Sequence, residues 1–108
     1  MLNSNLPEPE ILKAVLQPLL EDFQYWFERS RHLLETENIS FLDGEQQSDL
    51  LDRVKIAQQQ VSTAQMMFAA TDGQAGVEMS VLMLWHKLIA ECWQVAMRFR
   101  KLQLESDK

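Results

Sequence analysis

A chain of 108 residues fits one domain, because a second core would leave each half too small to fold alone. Its 46% hydrophobic and 24% charged side chains are those of an ordinary globular protein, which excludes disorder over most of the length. The net charge of −6 is uneven, with 4 basic and 11 acidic residues over 1–54 against 6 and 5 over 55–108. This acidic balance lacks the Lys and Arg excess that binding phosphates requires, so nucleic acid and anionic membrane surfaces are poor partners.

Few Gly and Pro beside abundant Leu, Gln, Glu, Ala and Met point to an all-α protein. Gly44, Gly73 and Gly76 fall at two corners between three long periodic segments, which predicts a single domain over 1–108 with helices at roughly 9–35, 44–72 and 77–104 and frayed termini. Short turns between them imply an up-down-up antiparallel three-helix bundle.

Pro9 suits a first helical position, with Glu8 and Glu10 near the positive end of the helix dipole. Leu12, Leu16, Leu19, Phe23, Trp26 and Leu33 follow at spacings of four and three, with Ser30 in the missing place; Leu20, Phe27 and Leu34 widen that face. Pro18 removes the hydrogen bond to Ala14, so a kink is expected there, with a short separate first helix as the alternative. The aromatic run Phe23, Tyr25, Trp26, Phe27 places Tyr25 outward and the other three in the core.

In the second segment Asp43 and Gln46 have the spacing of a capping box, and Glu45 and Asp49 add negative charge near the start. Leu50, Val54, Ala57, Val61, Ala64, Phe68 and Thr71 form its apolar stripe, and Gly73 suits the left-handed C′ residue that ends the helix. The third segment repeats the pattern in Val81, Trp85, Leu88, Cys92, Val95, Phe99 and Leu102. It has no clean cap at its start, and Arg98, Arg100 and Lys101 are expected to oppose the dipole in its last turns.

A second stripe on the third helix, Met79, Met83, His86, Ala90, Trp93, Met97 and Arg100, lies almost opposite the first at 100° per residue. Leu82, Ile89 and Ala96 join the two, leaving only a narrow polar strip of Ser80, Lys87, Glu91, Gln94, Arg98 and Lys101. An apolar arc this wide exceeds what a monomeric bundle buries, and Trp and Met are enriched in protein contacts. Met79, Met83, His86, Trp93 and Met97 are therefore the candidate protein interface, with Trp93 and Met97 as anchors. The competing explanation is that the first helix covers more of the third, or that Pro18 turns the N-terminal arm across it.

Signatures of enzymatic chemistry are missing: there is no GxGxxG, GxxxxGK, CxxC, HExxH or EF-hand loop, so neither catalysis nor a cofactor is expected. Glu21, Glu28, His32 and Glu35 share one side of the first helix and could ligate a metal, but a solvated face with Glu28–Arg31 and Glu28–His32 pairs explains them. His86 with Met83 or Met97 could mimic haem ligands, yet one helix cannot give both axial ligands to one iron. The lone Cys92 sits on the core stripe, where a thiol acts as a small hydrophobe; it excludes an internal disulfide and suits a reducing compartment. Met1–Glu10 lacks a basic region ahead of an apolar stretch, and the longest apolar run, Val81–Trp85, is too short to span a bilayer, so a cytoplasmic location is expected.

Leu6–Phe27, read as LPEPEILKAVLQPLLEDFQYWF, and Trp85–Arg100, read as WHKLIAECWQVAMRFR, with the turn ATDGQAGVE at Ala70–Glu78, resemble a family of short cyanobacterial proteins known only as a domain of unknown function. The resemblance implies a cyanobacterial cytoplasmic protein and carries over no functional residue. The expected function is a non-enzymatic interaction module, a homodimer or an adaptor in assembly or regulation. The alternative is a carrier of a hydrophobic small molecule or pigment among the aromatic rings of the first and third helices.

Overall fold

A computed structural model describes residues 9–106, with side chains from residue 13. Three helices follow one another, α1 (Pro9–Thr36), α2 (Gly44–Ala70) and α3 (Met79–Ser106), and no strand occurs among the described residues. α1 runs unbroken through Pro18, so the short separate first helix is not found. The side chain of Leu12 lies outside the described residues.

The direction of each helix follows from its cross-contacts. Lys13 near the start of α1 meets Asp72 after the end of α2, and Lys55 reaches Glu35, so these two helices are antiparallel. Phe23 meets Trp85 and Phe41 meets Arg98, so α3 runs alongside α1 in the same direction and completes an up-down-up bundle. α1 is the central element and packs along both neighbours, whereas α2 and α3 meet mainly through long side chains. Of these, Arg53 makes a forked contact with Glu91 at 2.8 and 2.9 Å, and the Trp85 indole N–H donates to Gln60 Oε1 at 3.0 Å.

This central position shifts the buried line of α1. Leu16, Leu20, Phe23, Phe27 and Leu34 are fully buried, while Leu19, Trp26 and Leu33 are only half covered, on the side toward α3. A helix with two neighbours buries the middle of its apolar arc, and here the middle runs through the residues expected only to widen the face. In α2 the expected stripe is the core from Leu50 to Phe68, with Ala64 half-buried and Thr71 exposed. In α3 the buried line is Trp85, Ile89 and Cys92, rotated toward α1 from the expected stripe, whose other members are half-buried or, for Leu102, exposed.

Local signals set the helix ends. The Asp43 side chain accepts from the Gln46 N–H at 2.7 Å and the Gln46 side chain accepts from the Asp43 N–H at 3.0 Å, a complete capping box. Asp49, by contrast, pairs with Arg53. At the other end α2 closes two residues sooner than expected: the Gly73 N–H bonds to the Phe68 carbonyl and the Asp72 N–H to that of Ala69. This is a Schellman arrangement with Asp72, not Gly73, at C′. Both residues have positive φ, 54° and 82°, which Asp tolerates and glycine adopts freely. A Cβ on Gly73 would also come within 3.2 Å of the Lys13 side chain. Gly73→Ala is therefore expected to lower stability by about 1–2 kcal/mol in denaturant titration. An unchanged midpoint would show that the turn adapts.

The rod is long, 62 × 23 × 18 Å, with a radius of gyration of 17.2 Å against roughly 13 Å for a compact chain of this length. The cause is stagger. With Phe23 level with Trp85, α3 is displaced toward the C-terminal end of α1 by about two turns, and its last residues pass the α1–α2 loop. That loop is anchored from within: Ile39 is fully buried, and Gln47 donates to the carbonyls of Leu34 and Glu37 and accepts from the Ile39 N–H. The Arg98 guanidinium stacks over the Phe41 ring at 4.3 Å. Because α3 continues to Ser106, Arg100 and Lys101 stand in its penultimate turn and Arg98 just before it, leaving the last turn without a cation.

Candidate functional site

The outer side of α3 carries the residues singled out from the sequence. Met79 is 69% exposed, Met83 and Met97 are each 64% exposed, and His86 is open to solvent. Trp93 is 39% exposed, because its ring meets Trp26 of α1 edge-on at 5.4 Å. α1 thus covers part of this side, taking in Leu82, Ile89 and Ala96 and leaning against Trp93, but it leaves the methionine line uncovered. The second stripe is accordingly about a third of a turn from the buried line rather than opposite it. Exposed Leu104 continues the stripe toward the C-terminus.

Beside the stripe, α1 and α3 enclose an open groove of about 610 Å³, lined by Trp26, Leu33, Trp93, Ala96, Phe99 and Arg100 among others. Arg29 lies over the faces of Tyr25 and Trp26, at 5.7 and 5.9 Å from their centroids, and so fixes the outer aromatic pair by cation–π attraction. Leu84, also exposed, sits on the opposite flank of α3, the flank turned toward α2, where Ile56 and Met67 are exposed as well. Sequence reading passed over Leu84 because it belongs to neither four-three stripe; only the shallow α2–α3 approach leaves it uncovered.

The polar face of α1 keeps Glu21, Glu28, His32 and Glu35 exposed, as expected, but its pairs run across to α2. Glu28 accepts from the Gln58 amide at 2.8 Å, and Glu35 pairs with Arg31 and Lys55, so both are engaged by or turned toward α2. Gln24 joins them by donating to Ser62 and to the Gln58 carbonyl. The expected Glu28–Arg31 pair gives way to Arg31–Glu35 because Gln58 takes the Glu28 oxygen. Among the described residues no group of three or more His, Cys, Asp or Glu stands where it could hold a metal ion.

Three titratable groups, Cys92, Glu91 and Arg53, are displaced from their ordinary ranges, the last raised by its hydrogen bond to Glu91. Burial pushes the Cys92 thiol up, opposed by the Ser30 hydroxyl beside it, which disfavours the nucleophilic thiolate. Arg53 holds the Glu91 carboxyl down through their hydrogen bonds. A carboxylate so depressed stabilises the fold above its unfolded pKa and loses that contribution as pH falls through the folded one. Since both partners are nearly half exposed, Glu91→Gln should cost no more than about 1 kcal/mol near pH 7. Denaturant midpoints of the two proteins should converge in acid; a gap that persists there would assign the loss to packing instead.

No described helix is long and apolar enough to cross a membrane. No curated protein and no solved structure matches the chain. Residues 6–101 match the family described as Protein of unknown function (DUF2605), a span that holds α1, α2 and the outer face of α3 through Lys101, and the chain belongs to that family.

Proposed function

We propose that this protein is a non-enzymatic helical interaction module that works through the outer face of α3, as a homodimer or as an adaptor within a larger assembly. The observation that carries the reading is the uncovered line Met79, Met83 and Met97, continuous with half-exposed Trp93 and with exposed His86. Three large thioether side chains on one line, each about two-thirds in water, form a contiguous apolar patch of the kind found at protein contacts. A cytoplasmic protein of cyanobacterial origin, as the sequence resemblance implies, is part of this reading. The carrier alternative draws on the groove between α1 and α3, but that groove opens along the surface rather than into the bundle interior, which suits a protein side chain better than an enclosed ligand. The test is the double variant Met83→Glu/Met97→Glu, compared with wild type for mass in solution and for bound protein partners. Loss of the associated form is expected; unchanged mass together with unchanged partners contradicts the proposal.

A further inference from the structure

Resting on that reading of the α3 face, we infer that its partner is a second copy of this chain, packed with its α3 antiparallel across a two-fold axis beside Ala90.

The stripe is self-complementary about that residue. Met83 and Met97 each stand one heptad from Ala90, so the two-fold brings Met83 of one copy against Met97 of the other, twice. Ala90 is the smallest side chain of the line, which lets the two helices approach most closely where the axis passes. The overlap from Met79 to Lys101 is about 33 Å long at 1.5 Å per residue.

Charge selects antiparallel over parallel. The cations Arg100 and Lys101 lie at one end of the stripe and are exposed. A parallel pair would set them against their own copies, with like charges facing. The antiparallel pair carries them to the Met79 end of the second copy. Glu78 immediately precedes α3 at that end, and exposed Asp22 of α1 lies about a turn and a half inside it, because its neighbour Phe23 packs on Trp85. Exposed Lys87 meets the flank holding Gln94. Trp93 comes to rest near His86 of the second copy.

Single-cysteine additions in the full chain test this arrangement, with wild type as the control because Cys92 is buried. Mild oxidation or a short bis-maleimide should link Ala90→Cys to itself efficiently. Met79→Cys and Met97→Cys alone should link at least tenfold less, and a mixture of Met83→Cys with Met97→Cys should give the mixed product. Self-linking of Met79→Cys and Met97→Cys, with Ala90→Cys no better, would establish a parallel pair and overturn the geometry while leaving the contact-face reading intact. A dimer of wild-type mass that the Met83→Glu/Met97→Glu variant retains would overturn this arrangement and, with bound partners also unchanged, the contact-face reading as well. A wild-type monomer at every concentration would overturn the second copy as partner, and the partner comparison of the double variant then decides the contact face separately.

Discussion

Phe27→Ala is expected to destabilise the protein by about 3–5 kcal/mol, read as a fall in the denaturant midpoint at unchanged slope. Phe27 is 0% exposed and belongs to the one apolar cluster that all three helices share. It stacks on Phe23 at a centroid distance of 6.1 Å, and Phe23 in turn meets Trp85 edge-on at 5.5 Å, so the rings form a continuous seam from α1 into α3. Removing the ring takes its apolar surface from the core and leaves a cavity in the central helix, where neither neighbour can close in without losing its contact with the other. A domain of this size has only about 5–15 kcal/mol to lose. A loss below 1 kcal/mol would mean that α1 is not the element on which the other two are assembled.

Met83→Glu/Met97→Glu is expected to act in the opposite way, abolishing association and sparing the fold. Both side chains are about two-thirds in water, so their replacement in the monomer should change stability by no more than about 0.5 kcal/mol. In the contact, four carboxylates per dimer would have to enter an apolar seam, and the two-fold sets Glu against Glu at each end. Loss of two anchoring apolar contacts together with unpaired charge should weaken association by at least about 100-fold. A thermal melt shared with wild type alongside a lost dimer would separate the two effects. A melt lowered by more than about 10 °C would show instead that these methionines support the monomer.

The sequence makes the helices legible because its signals are local. Leu50, Val54, Ala57, Val61 and Phe68 announce the buried side of α2 at four-three spacing, and Asp43 with Gln46 announces its start. What spacing alone leaves open is which part of a wide arc faces which neighbour. Leu20 and Phe27 outrank Leu19 and Trp26 only because α1 lies between two helices, and Ile89 is buried because α1 rather than α2 covers that side of α3. The turn chemistry shows the same limit: Gly73 is visible as a helix stop, but the prior left-handed residue is Asp72, a residue type that adopts this conformation less freely than glycine and is paired here with Lys13. Gln47 and Ile39 escaped notice because a loop plug depends on tertiary contact and leaves no periodic trace. The stripe that leaves Met79, Met83, His86 and Met97 exposed was legible in the sequence; the partial cover of Trp93 by Trp26 was not, since it requires the stagger of α3 along α1.

Light scattering behind a sizing column, over a wide concentration range, tests most directly whether the outer face of α3 joins two chains. Wild type should approach twice the chain mass of 12.6 kDa, and Met83→Glu/Met97→Glu should stay at 12.6 kDa while Leu84→Glu, on the other flank of the same helix, still dimerises. Equal masses for wild type and the double variant at every concentration would contradict the account.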